Sequence, residues 1–149
     1  MLKHAVVLFG VLLLFVSVSM AGDCEQTAQS MVDKGVAHVQ VVDADQAAKD
    51  FMDPKGGFMD GSYYLLFYTY DGKCLALGAK PEIAGKNRWD VKDPDGVYQI
   101  REMVSVAKQG GGWVKYKYAN PTTGAVQKKK TYVQPVPGMN AFVGCGIYY

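Results

Sequence analysis

Histidine is nearly missing from this chain. Only His4 and His38 occur, and His4 falls in a segment that reads as removable. No Cys–His couple or Ser/His/Asp order is then available for nucleophilic catalysis. Cysteine is sparse as well, with Cys24, Cys74 and Cys145 the whole supply. They form no Cys-x-x-Cys-His run, which excludes haem attached through that motif. They are also too scattered around His38 for a zinc site. No glycine-rich phosphate loop is present. Neither charge sign dominates, with 16 Lys and Arg against 14 Asp and Glu, whereas nucleic-acid binding needs a strong basic excess. Asp90, Asp93 and Asp95 are spaced as a calcium loop would be, but Pro94 and the capping role open to Asp93 favour a helix start. These absences leave a non-enzymatic protein without metal, cofactor or nucleic-acid partner as the expectation.

The one long apolar run lies at the start. Lys3 and His4 form a basic lead, Ala5–Val16 an apolar core, and Ser19-Met20-Ala21 a set of small residues suited to signal peptidase. The run is short for a stable bilayer span, so a cleaved signal over residues 1–21 is preferred to an uncleaved anchor. Asp23 before Cys24 argues against lipid attachment. Cleavage removes Lys3 and no acidic residue, bringing the net charge one unit below the +2 of the whole chain. Residues 22–149 then form one soluble, periplasmic or secreted domain. In an oxidising compartment, one disulfide plus a leftover thiol is the simplest state for three cysteines.

Two helices are expected over residues 22–52. Ala28, Met31, Val32, Gly35, Val36, Val39 and Val42 recur at helical spacing from a start near Asp23, with Asp23 at the cap. His38, at the edge of that stripe, reads as structural. A second, shorter helix begins at Asp43, with Gln46 completing a capping-box pattern, and ends at Pro54. The period then changes to two. Tyr63–Tyr70 is apolar on both faces, as a central strand would be. Asp71-Gly72 marks a hairpin to Cys74–Leu77. Residues 78–110 form a crossover, within which Asp93-Pro94 starts a helix bearing Val97, Ile100, Val104 and Ala107 and ending at Gly110-Gly-Gly. Strands Trp113–Tyr118, Val126–Val136 and Ala141–Tyr149 follow as an antiparallel meander, completing a sheet region over 61–149. The class is α+β. The stretch Pro81–Tyr98 is long for a plain connection and reads as a binding loop over one sheet face.

With these pieces placed, the chain resembles the single Cache domain family of the sCache_2 type, PAS-like sensor modules outside the cytoplasm. The resemblance is carried by Gly61-Ser-Tyr-Tyr, Asp71-Gly-Lys-Cys-Leu-Ala, Ala84-Gly-Lys-Asn and Lys92-Asp-Pro-Asp-Gly. It continues through Gly111-Gly-Trp-Val-Lys-Tyr, Asn120-Pro-Thr-Thr-Gly, Lys129-Lys-Thr-Tyr-Val and Val143-Gly-Cys-Gly-Ile-Tyr. It implies a five-stranded antiparallel sheet in the order 2-1-5-4-3, a long first helix across one face, and a small-molecule pocket under the crossover on the other. It further implies a short organic acid as ligand. The chain ends at Tyr149, where a chemotaxis-type receptor would enter its second membrane helix. A stand-alone sensor acting through a separate membrane sensor or transporter is therefore expected.

A carboxylate in such a pocket needs cationic or hydrogen-bonding partners. Arg88 offers a planar fork matched to two carboxylate oxygens, and Trp89 beside it an apolar wall. The family pattern favours Lys129, three residues before Tyr132, as the second cation. Strand alternation turns Lys129 away from Lys128 and Lys130, although a solvated charge run reads equally well. Tyr98, Tyr116 and Tyr132 are the expected hydroxyl donors. Gly144 and Gly146 leave room on one face of the last strand. The family topology also implies Cys24–Cys145 as the disulfide, with Cys74–Cys145 second. The competing function is a ligand-free interaction protein that uses the fold to form a homodimer.

Overall fold

The computed structural model describes residues 20–149, so the signal-peptide reading of residues 1–21 lies almost wholly outside the described residues. Helix α1 (Met20–Val41) and the shorter α2 (Ala44–Met52) come first. Asp23 sits inside the first turn of α1 rather than at its cap, because the helix runs upstream through Met20 and Ala21. The cap at Asp43 forms as expected: its carboxylate accepts from Gln46 N at 2.8 Å. The reciprocal half of the box is not made, since the Gln46 side chain donates to Asp50 instead. His38 is satisfied by the same Asp50 at 2.7 Å and packs on the Phe58 ring.

Six strands follow: β1 (Met59–Asp60), β2 (Tyr63–Thr69), β3 (Cys74–Leu77), β4 (Gly112–Ala119), β5 (Val126–Pro135) and β6 (Ala141–Tyr148). Every pairing between them is antiparallel, and β6 lies between β2 and β5 with β4 beyond β5. The five main strands thus take the order β3-β2-β6-β5-β4. The addition is β1, which pairs with β2 on the same edge as β3. Asp71-Gly72 does turn the β2–β3 hairpin, through Gly72 N to Thr69 O and Thr69 N to Lys73 O, both 3.0 Å.

Alternation along the strands splits the core in two. Leu65, Phe67, Val143, Cys145 and Ile147 face α1 and α2, meeting Ala28, Val32, Ala47 and Phe51. Close docking of α1 depends on Gly35, where a Cβ would come within 2.6 Å of Leu65 Cδ1. The opposite face carries Tyr64, Leu66, Tyr68, Val114, Tyr116 and Phe142 beneath helix α3 (Gln99–Lys108).

The crossover corrects one expectation. No helix starts at Asp93-Pro94; α3 begins six residues after Asp93, at Gln99. Asp93 is buried and serves as a loop clamp. Its Oδ1 accepts from Asp95 N and Val97 N at 2.9 and 2.8 Å, and its Oδ2 accepts from Lys117 N of β4 at 2.8 Å. Local signals for a cap and for such a loop are the same, because both present an Asp oxygen to free N–H groups.

The cysteines bring a second correction, for all three thiols are free. Cys74 belongs to the α3 side and Cys145 to the α1 side, so the sheet separates that pair. Cys24 packs on the same cluster as Cys145, yet no bridge joins them. The Cys145 thiol lies 3.8 Å from Met31 Sδ instead.

Candidate functional site

On the α3 side of the sheet the side chains leave a cavity. Its floor is Tyr64, Leu66 and Tyr68 of β2, Tyr116 and Tyr118 of β4 and Lys129 of β5. Leu77 closes one edge, Gln99, Ile100 and Met103 of α3 form the roof, and Arg88 enters from the crossover. The space is tight: the volume open to the centre of a water molecule is ≈ 20 Å³, room for about one water. The crossover therefore contributes a cation, while α3 supplies most of the cover.

Lys129 is the chemical centre. It is 1% exposed, and its Nζ donates to Tyr64 Oη at 2.6 Å. Four rings surround the ammonium: Tyr64 at 4.4 Å, Tyr148 at 4.8 Å, Tyr118 at 5.1 Å and Tyr116 at 5.9 Å from their centroids. Ring faces attract a cation, but they do not replace an anion. Burial, with a smaller push from Lys80, pulls the Lys129 pKa down from 10.5 to about 7. The surrounding phenols are held neutral by the same desolvation, which raises Tyr64 and Tyr116 far above the usual range and Tyr148 to about 12. Their hydroxyls form a short relay, with Tyr64 Oη 3.1 Å from Tyr148 Oη and the latter donating to Ala119 O at 3.0 Å.

Arg88 is half-buried, and its backbone N donates to Gly72 O at 2.8 Å. Among the described residues, neither Arg88 nor Lys129 forms an ion pair with a carboxylate. Two cations thus border one small space, walled by tyrosines and aliphatic side chains, that holds no protein anion to match them.

Three of the six expected site residues line this space: Arg88, Tyr116 and Lys129. Lys129 faces away from Lys128 and Lys130, and Lys130 pairs with Glu25 on the α1 side. Tyr132 is a correction. It stands three positions from Lys129, and three steps along a strand reverse the face; its ring packs on Trp113 at 5.4 Å, beneath α1. Trp89 and Tyr98 also stand off the cavity. Both rings approach the Arg101 guanidinium, at 5.4 and 3.9 Å, and Trp89 O accepts from Arg101 Nε at 3.0 Å. They fasten the crossover to α3. Tyr64, Tyr68, Tyr118 and Gln99 were not foreseen. Period two would have found Tyr118 from Tyr116 and grouped Tyr64 with Tyr68, but nothing in the sequence singles out Gln99.

The family model for Single Cache domain 2 matches residues 24–149. The chain belongs to that family. Cache domains of this kind are ligand-sensing modules outside the cytoplasm, and no helix among the described residues is long and apolar enough to cross a membrane. The sensor histidine kinase MctS of Rhizobium johnstonii is 35% identical over 85 residues, which make up 57% of this chain and 18% of the kinase. The chain thus spans under a fifth of that relative's length. A methyl-accepting chemotaxis protein from Vibrio parahaemolyticus has a similar fold, with a TM-score of 0.75 at 21% identity over 87% of this chain and 90% of that one. A Cache chemosensory domain solved to explain its recognition of carboxylic acids gives a TM-score of 0.65 at 25% identity, over 85% and 89% of the two chains.

Proposed function

We propose that residues 22–149 form an extracytoplasmic sensor domain for a short organic acid, delivered outside the cytoplasm by cleavage near Ala21. The observation that carries this reading is the convergence of Arg88 and Lys129 on one cavity without a protein carboxylate. An anion between them removes the cost of an unpaired buried charge. The Arg88 fork takes the carboxylate in two parallel bonds, and Leu66, Leu77, Ile100 and Met103 meet the short alkyl part. The carboxylic-acid-recognising Cache domain of the same fold supports this choice of class. The small space limits the ligand to a few carbons and requires α3 or the crossover to give way on entry. Movement of these elements would pass the signal to a membrane sensor or transporter.

One observation favours a second reading, a ligand-free Cache domain that acts through protein contacts. Lys129 is already hydrogen-bonded to Tyr64, and the space it faces is nearly filled. A thermal-shift and calorimetric panel of acetate, propionate, pyruvate and lactate separates the two. Binding of one or more acids is expected, weakened in Arg88→Ala by about 2–5 kcal/mol with folding intact. If no acid binds the wild-type protein, the carboxylate reading is overturned in favour of the second.

A further inference from the structure

Lys129 is a primary amine enclosed by phenol rings. It is 1% exposed, and its Nζ is bonded to Tyr64 Oη at 2.6 Å. The rings come from three strands: Tyr64 on β2, Tyr116 and Tyr118 on β4, and Tyr148 on β6. Arg88 enters the same space from the crossover, and Lys80 Nζ stands over the Tyr118 ring at 5.1 Å. No acidic side chain lines the cavity. A lysine so placed has its charge penalised by burial and repaid by no partner. The amine is largely unprotonated near pH 8, with its pKa down at about 7. A neutral, desolvated lysine is a nucleophile.

The space beside it limits what it can attack. Room for about one water excludes an aldehyde, ketone or ester unless α3 moves. Carbon dioxide is a short rod of three atoms, uncharged, and enters such a space as it stands. We propose that Lys129 is a site of reversible carbamate formation, with carbon dioxide as the reactant. The Nζ lone pair attacks the carbon, a nitrogen–carbon bond forms, and one carbon–oxygen π pair moves onto oxygen. The nitrogen releases a proton to solvent, leaving a carbamate with no oxidation or reduction. That carbamate carries the negative charge the cavity lacks, and its two oxygens suit the donor fork of Arg88. It keeps one N–H, enough to retain the bond to Tyr64 Oη. The modification goes beyond the organic-acid reading and does not depend on it, because the anion is made from the lysine rather than brought to it.

The test supplies bicarbonate enriched in the NMR-active carbon isotope to protein whose lysines carry the heavy nitrogen isotope. It is run near pH 8, with buffer purged of carbon dioxide as the zero. The wild type is expected to show a carbamate carbon split by lysine nitrogen, rising with bicarbonate and saturating near one per chain. Lys129→Met is expected to lose it. A carbamate at the chain's α-amino group, the other amine partly neutral near this pH, lacks that splitting. A wild-type spectrum no different from that of Lys129→Met overturns the proposal. So does labelled bicarbonate that binds without coupling to nitrogen. Where Lys129→Met does not fold, the wild type decides alone: the carbamate N–H is expected to show close contacts to ring protons of Tyr64 and Tyr148. A carbamate signal without those contacts belongs to surface lysines and overturns the assignment to Lys129.

Discussion

Lys129 and Tyr64 are joined across a strand that belongs to neither of them. The ammonium starts on β5, the hydroxyl stands on β2, and β6 lies between, yet Nζ and Oη are 2.6 Å apart. The side chain crosses β6 above Gly146, where a Cβ would come within 2.1 Å of Lys129 Cε and 2.6 Å of Thr131 Oγ1. Gly146 is therefore part of the site, because it supplies the path along which Lys129 lies. Gly146→Ala is expected to displace Lys129 from Tyr64 and destabilise the fold by about 1–3 kcal/mol. Thermal unfolding reads the second effect, and loss of acid binding the first. A variant as stable as wild type would show that Lys129 has another route across the strand.

The depressed Lys129 pKa has a signed consequence for stability. Below about pH 7 the folded and unfolded states both carry the proton, and the folded state bears the full cost of burying it. Between about 7 and 10.5 the folded state has released the proton and the unfolded state has not, so stability rises with pH. Above about pH 9 the trend reverses, first because the Cys74 and Cys145 thiols are raised by burial above the 9.0 of the unfolded chain, and then because Tyr64, Tyr116 and Tyr148 are raised above its 10.0. Denaturant unfolding of the ligand-free protein should thus show a maximum between pH 8 and 10, on the order of a few kcal/mol above its value at pH 6. Lys129→Met should flatten the rise and be the more stable protein at pH 6, since an apolar side chain there needs no counter-ion. A wild-type curve that is flat from pH 6 to 9 would contradict the burial of an unpaired lysine.

Much of this was legible in the residues, and the failures have physical causes. The α+β class and the hairpin at Asp71-Gly72 follow from hydrophobic period and turn chemistry, both local properties; strand alternation turns Lys129 away from Lys128 and Lys130, but its place in the pocket rests on the family pattern. The strand order came from family resemblance, because periodicity says which face a strand buries and nothing about its neighbour. Tyr132 shares a strand with Lys129, which suggests the pocket, but an odd step along that strand reverses the face. Trp89 and Tyr98 sit in an irregular segment where no period exists to orient them. Gln99 is distinguished only by what it lacks, a protein partner for its buried Oε1, and that is a property of the packed whole.

Asp93 makes a separate prediction far from any ligand. Its carboxylate accepts three backbone N–H groups and ties the crossover to β4. Desolvation works to raise its pKa, but the bonds from Lys117, Val97 and Asp95 outweigh it and leave the group below 3.8. The stability it contributes is present above the unfolded value and is lost as pH falls through the folded one. Asp93→Ala removes all three bonds and is expected to cost roughly 2–3 kcal/mol, while leaving the pH 6–9 dependence of Lys129 in place. It should also speed hydrogen exchange at the amides of Asp95, Val97 and Lys117. Unchanged exchange at those three amides would mean that the loop is held by other contacts.

Proton uptake provides the most direct test of whether the ligand meets Lys129. Near pH 8 the ligand-free lysine is mostly neutral, since burial holds its pKa at about 7. An anion placed against Nζ stabilises the charged form and lifts that pKa again, so binding draws a proton from solution. The acid itself arrives ionised and supplies none. Calorimetric titrations at pH 8 in buffers of different ionisation enthalpy should report uptake approaching about one proton per ligand bound. At pH 6 uptake should be near zero, because the lysine is already charged. Affinity should fall as pH rises from 7 to 9, by up to about tenfold per pH unit. Lys129→Met, whose cavity titrates only through tyrosines that burial holds neutral over this range, should bind weakly and show neither the uptake nor the slope. Tight binding at pH 8 without proton exchange would place the carboxylate on Arg88 alone, with Lys129 left neutral against Tyr64.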